Sequence, residues 1–212
     1  SKLVTPRNEK DEFEILSGVF EGKTTGTPIM GIIFNKDVKS KDYSEIKDLF
    51  RPGHADFTYH AKYGNRDYRG GGRSSARETA ARVIAGAIAK QILGDFGVSF
   101  KGGVTQVGKV KAEKFEWDTA ESNELRCVDP DKVDAMREEV EAARKDRDSV
   151  GGLVEVHAEG APIGLGEPLF AKIDAVIAAA MMSIPAVKGV EIGAGFESVS
   201  MRGSEMNDEM SK

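Results

Sequence analysis

"FRPGHADFTYHAKYGNRDYRGGGRSSARETAARVIAGAIAK" spans residues 50–90. From Phe50 to Thr79 it holds five arginines, five glycines, two histidines and two serines. The triple glycine Gly70-Gly71-Gly72 lets backbone approach a ligand with no Cβ in the way. Behind it, Ala80, Val83, Ile84, Ala87, Ile88 and Ile92 recur at helical spacing, which predicts a helix that stops near Gly94. Ser75 and Glu78 stand as S-x-x-E, the pattern of a reciprocal capping box. Arg73, Ser74 and Ser75 therefore sit where free N–H groups and the positive end of a helix dipole favour a phosphate, and arginine can fork onto its oxygens. Neither G-x-x-x-x-G-K-[ST] nor G-x-G-x-x-G occurs here, which excludes the usual nucleotide loops. Before residue 73 no regular period is visible. That part reads as an ordered loop, its aromatics Phe57, Tyr59, Tyr63 and Tyr68 arguing against disorder.

Charge sharpens the reading. Between Arg51 and Arg77 six basic residues face two acidic ones, a net +4 inside a chain of net −5, so the remainder carries −9. A basic island in an acidic chain marks a focused anion site rather than a nucleic-acid face. His54 lies among these arginines, where its charged form is disfavoured unless a carboxylate or bound anion offsets them. A bound phosphate would restore the imidazolium, making His54 a candidate general acid, although hydrogen bonding within the loop would account for it equally. His60 and His157 read as structural or surface residues. Three dispersed histidines and one cysteine show no metal-ligand spacing, so no metal is expected.

The other elements are conventional. Residues 12–20 and 28–35 read as an antiparallel strand pair, residues 98–110 as a glycine-broken strand and residues 111–128 as irregular. A short helix is expected near Tyr43–Phe50. Asp129-Pro130 reads as N-cap and first helical residue, opening a charged helix to about Arg147 with a stripe of Val133, Met136, Val140 and Ala143. Residues 153–160 alternate, with Val154, Val156 and Ala158 inward and Glu155, His157 and Glu159 outward. Pro168 is expected to open a helix with Ile173, Val176, Ile177, Ala180 and Met181 on one face, stopped by Pro185. Residues 186–201 read as one or two strands. No repeat or clear linker interrupts 212 residues, which predicts a single domain of α+β class with mainly antiparallel sheets. Cys127, the single cysteine, reads as a small side chain before a turn and fits a reducing, cytoplasmic setting. No apolar run reaches the roughly 20 residues that span a bilayer.

The stretch from residue 50 to 90 closely resembles the central signature of the chorismate synthase family, through RPGHAD and RGGGRSSARET. The resemblance extends to "SKLVTPRNEKDEFEILSGVFEGKTTGTPI" before it and to "DSVGG", "GLGEP" and "MSIPAVKGVEIGAGF" after it, covering essentially all 212 residues. It implies a layered β-α-β sandwich, a homotetramer, and a lyase that converts 5-enolpyruvylshikimate 3-phosphate to chorismate and phosphate by 1,4-anti-elimination. It also implies reduced FMN, with NADPH as reductant where the enzyme reduces its own flavin. By the same resemblance His54 protonates the reduced flavin, and Arg73, Ser74, Ser75, Pro185 and Ala186 contact it. Arg51, Arg77 and Glu78 fall near the phosphorylated substrate, and Lys2 at a basic position linked to the nucleotide or substrate.

Family members also carry a G-x-S-H-G motif and an R-H-D-P-like motif with a further catalytic histidine and aspartate. Neither occurs here. These residues are therefore expected to form the central part of a longer chain, inactive by themselves. The alternatives are a non-catalytic anion-binding module on the same scaffold and, against the net charge, a single-stranded RNA binder.

Overall fold

The computed structural model describes residues 3, 10–35, 47–69, 72–208 and 210, with Arg73 described by its backbone. Helices and small antiparallel sheets make it α+β. It divides into two units, one of Ser1–Val38 with Val83–Ala161 and the other of Lys39–Arg82 with Pro162–Lys212.

In the first unit, β1 (Phe13–Ser17) pairs antiparallel with β4 (Met30–Ile33), Phe13 opposite Ile33, as the alternation predicts. Between them β2 (Val19–Phe20) and β3 (Lys23–Thr24) form a hairpin. Its two turn residues, Glu21 and Gly22, have φ of 48° and 76°, the sign that matches the twist of the flanking strands. The main sheet has the order β6-β5-β7, from β5 (Ser99–Val107), β6 (Val110–Lys111) and β7 (Gly152–Glu159), all antiparallel. Gly103 breaks the apolar run of β5 for a reason. A Cβ there would stand 2.9 Å from the Arg126 carbonyl oxygen and 2.5 Å from Val128 Cγ1. The 126–128 segment bonds alongside, through Val104 N–H to Arg126 O (2.8 Å) and Val128 N–H to Val104 O (3.2 Å).

Against this sheet lies α3 (Val133–Lys145), whose Met136 is wholly buried with Cys127 and Val107, flanked by Val133 and Val140. The predicted apolar stripe is the buried one. The helix ends at Lys145, two residues short of the expected end. Asp129 caps the one-turn 3₁₀ segment Pro130–Lys132 that leads into it. The Asp129 carboxylate is 1% exposed and accepts three backbone N–H bonds, from Glu113 (2.8 Å), Lys114 (3.0 Å) and Asp131 (3.0 Å). Burial pushes its pKa up, but the three N–H donations outweigh burial and hold it below the usual carboxylate range. Its stabilisation is therefore present above the unfolded carboxylate pKa and lost as pH falls through the lower folded value. Asp129→Ala leaves three donors unanswered in a buried site and is expected to cost about 3 kcal/mol, read as a lower urea midpoint at pH 7. Cys127 is fully buried, and burial raises its thiol pKa, which keeps it inert.

Several expectations are corrected. The loop before residue 73 contains a helix, α1 (Asp56–Tyr63), ended by Gly64 at φ 68°. It shows no apolar stripe because the residue it buries is charged Asp56. The predicted helix from residue 75 is α2 (Thr79–Asp95), preceded by 3₁₀ turns at Gly72–Ser74 and Ala76–Glu78. It runs through Gly94, and the chain reverses at Gly97, φ 78°. Pro168 lies in a turn, and α4 (Ile173–Met182) begins five residues later. Residues 186–201 form no strand. They hold a 3₁₀ turn at Gly195–Ser200, followed by α5 (Gly203–Met206).

All of β7 is exposed, including Val154 at 67%. Ile173, Val176 and Ile177 of α4 are exposed too. Alternation and helical period say which residues share a face, not that the face is covered. The expected helix near Tyr43–Phe50 falls largely outside the described residues. No helix among the described residues is long and apolar enough to cross a membrane.

Candidate active site

Arg51-Pro52-Gly53-His54 is a tight turn. Pro52 presets its φ, Gly53 takes φ 71°, and the His54 N–H reaches the Arg51 carbonyl at 3.3 Å, the residue order and sign of a type II turn. The turn fixes the histidine as well. His54 Nδ1 lies 3.0 Å from the Pro52 carbonyl oxygen, and a carbonyl can only accept, so Nδ1 carries the hydrogen. The second ring nitrogen, Nε2, is left to exchange a proton on an exposed imidazole.

What holds the turn is a buried carboxylate. Asp56, 2% exposed, takes Arg51 on both oxygens, Nε to Oδ2 at 2.8 Å and Nη2 to Oδ1 at 3.1 Å, and also accepts the Arg51 backbone N–H. Arg66 stands 3.6 Å from the same carboxylate, donates to the carbonyls of Lys47 (2.6 Å) and Leu49 (2.7 Å), and lies over the Phe50 ring. The Arg51 hydrogen bonds hold the Asp56 carboxyl at about 2, against the opposing push of burial. Two cations of the basic island thus serve the fold of the His54 loop. Asp56 and Arg66 were not among the residues singled out from the sequence. The available signal was an acid five residues after Arg51.

At the second motif, Ser75 is the N-cap and its hydroxyl accepts the Arg77 N–H at 3.3 Å. Neither bond of the reciprocal box forms, although Ser75 still caps the turn. The Glu78 carboxylate turns forward to Arg82, Nε to Oε1 at 2.8 Å, rather than back to the Ser75 N–H, which donates to the Gly72 carbonyl. An i,i+4 guanidinium offers a charged partner to Glu78, and that wins over a neutral cap. Ser74, Ser75, Arg77 and Glu78 are all half-buried.

Arg82 then reaches across 101 residues of sequence. Its Nη1 donates to Ser183 Oγ (2.7 Å) and its Nη2 to the Ser183 carbonyl (3.1 Å). Ser183 is the C-cap of α4, so the guanidinium also meets the negative end of that helix. Two residues on stand Pro185 and Ala186, and Ala186 has φ 71°. A non-glycine in that conformation is strained by about 1–2 kcal/mol and persists where its surroundings impose it. Arg82 thus links Glu78 to Ser183, two residues before the Pro185–Ala186 pair picked out from the sequence. His54 bonds within its own turn. Lys2 lies outside the described residues, as do Gly70 and Gly71.

The chain matches the description "Chorismate synthase" over residues 1–212. It belongs to the chorismate synthase family. A curated chorismate synthase from a Nitratiruptor species is 56% identical over 212 residues, all of this chain and 59% of its own length. A solved chain described as "Crystal Structure of Chorismate Synthase" is 35% identical with a TM-score of 0.77, covering 94% of this chain and 60% of that one. The chain therefore spans about three-fifths of the length of these chorismate synthases. Among its described residues no group of three His, Cys, Asp or Glu side chains could hold a metal ion.

Proposed function

We propose that these residues form, as one domain, the central part of a cytoplasmic, homotetrameric chorismate synthase that converts 5-enolpyruvylshikimate 3-phosphate to chorismate and phosphate. The observation that carries this reading is 56% identity to a chorismate synthase over every residue of the chain. In the reaction the C–O bond to phosphate breaks and a C6 proton leaves on the opposite face, with no net redox change. Reduced FMN, when bound, supplies electron density as that bond breaks, and NADPH is its reductant where the enzyme recycles it. The donor set fits such an anionic, planar group. Half-buried serine hydroxyls stand beside a helix start, and a left-handed Ala186 follows the α4 C-cap that Arg82 holds.

In this reading the Pro52 carbonyl, holding Nδ1–H, would orient His54 so that Nε2 could supply a proton to a bound reduced flavin. Arg73, Ser74, Ser75, Pro185 and Ala186 hold the flavin. Arg77, with Lys2, neutralises the substrate phosphate. Arg51 shares that task while paired with Asp56, and Glu78 acts by anchoring Arg82. The chemistry needs a further histidine and an aspartate from motifs these residues lack. Anaerobic assays with reduced FMN are expected to show turnover by the complete enzyme and none by the 212-residue piece. Failure of the complete enzyme to release phosphate and chorismate overturns the function. Turnover by the piece at a comparable rate overturns the requirement for the remaining motifs.

A further inference from the structure

We infer that Arg82 is a positioning residue for flavin binding, locking the Pro185–Ala186 loop against the Ser74–Ser75 helix mouth. The inference rests on the proposed function for the identity of the ligand, but the clamp itself is in the geometry. One guanidinium commits three N–H groups to two segments, with Nε on Glu78 and both Nη atoms on Ser183. A planar fork of fixed shape sets distance and angle together, which a flexible point charge does not.

Both ends of the clamp are themselves anchored. Glu78 closes the 3₁₀ turn that Ser75 caps, and its N–H donates to the Ser75 carbonyl at 3.1 Å. Ser183 receives Arg82 on Oγ while passing its own hydroxyl hydrogen to the Ala180 carbonyl (2.6 Å), and its N–H bonds back to Ala179 and Ala180. Moving Arg82 therefore moves the end of α4 relative to the start of α2. The consequence falls on Ala186. Its φ of 71° is the third position of a turn after Pro185 that the Val187 N–H closes on the Ile184 carbonyl, and this turn follows Ser183 directly, with the Ile184 N–H on Met181. With Ser183 released, that turn keeps its own closing bond but loses its tether to Glu78, and a flavin would have to restore its placement on binding. That cost appears in affinity rather than in the chemical step, since Arg82 donates to Glu78 and Ser183 rather than to a reacting group.

The test is a titration of the complete enzyme with FMN, followed by flavin fluorescence or absorbance, beside anaerobic turnover at saturating reduced flavin. For Arg82→Ala we expect the FMN Kd to rise about fivefold or more while kcat at saturation changes less than about threefold. Arg82→Lys, which keeps the charge and loses the fork, should fall on the same side of that threshold. If Arg82→Ala does not fold, Arg82→Lys is decisive by the same criterion. A smaller rise in Kd, or a larger loss of kcat at saturation, overturns the inference and leaves the proposed function standing. If the unsubstituted enzyme binds no FMN, the proposed function falls and the inference falls with it.

Discussion

Replacing His54 with alanine in the complete enzyme is expected to slow chorismate release by about 10²- to 10⁴-fold, the range for losing a positioned general acid. The thermal midpoint should move little. The imidazole is exposed, and its side chain makes one hydrogen bond, to the Pro52 carbonyl, whose loss costs about 1 kcal/mol or less at an exposed site. The turn beneath it is set by Pro52, Gly53 and the Arg51–Asp56 pair, none of which needs the ring. The expected signature is a fall in kcat with nearly unchanged KM for the enolpyruvyl substrate. A rate within about threefold of the unsubstituted enzyme removes His54 from the chemistry.

Asp56→Ala should do the opposite, striking the fold first. It strands Arg51 and the nearly buried Arg66 guanidinium without their shared carboxylate. Breaking a buried pair in this way costs about 3–5 kcal/mol, a large part of the net stability of a protein this size. Activity should fall with it, because the Arg51 end of the His54 turn loses its tether. Acid offers an independent check. With the Asp56 carboxyl lowered from an ordinary 3.8 to about 2, its charge contributes about 2 kcal/mol of stability. That contribution is complete above the unfolded pKa, near pH 4, and disappears as pH falls through about 2. Urea midpoints of Asp56→Asn and the unsubstituted protein should differ clearly at pH 7 and converge toward pH 2. A constant difference across that range would mean the carboxylate charge is not what holds the turn.

Much of this was legible in the amino-acid order because it rests on local rules. Pro52-Gly53 sets a turn by preset and positive φ. Ser75 caps the helix mouth. Asp129-Pro130 begins the third helix, and Phe13–Ser17 pairs with Met30–Ile33 by alternation. The two signature motifs carried the family by themselves. Other features were decided only by tertiary structure, because their causes lie far away in sequence or in the absence of a covering face. α1 was hidden because its one buried residue is a carboxylate, stabilised by guanidiniums from Arg51 and Arg66 rather than by an apolar stripe. Glu78 abandoned the predicted box for Arg82, a contact at proper helical spacing whose value depends on where the arginine's other arms go. Those arms reach Ser183, 101 residues on, and no local pattern announces such a partner. The alternation in β7 was correct as a period but did not predict burial, since what covers a face is a property of the assembled molecule. The sequence by itself determined the family and the groups able to bind an anion or pass a proton. Tertiary structure decided which arginines also hold the protein together, because a guanidinium's role is set by the nearest carboxylate or carbonyl in space.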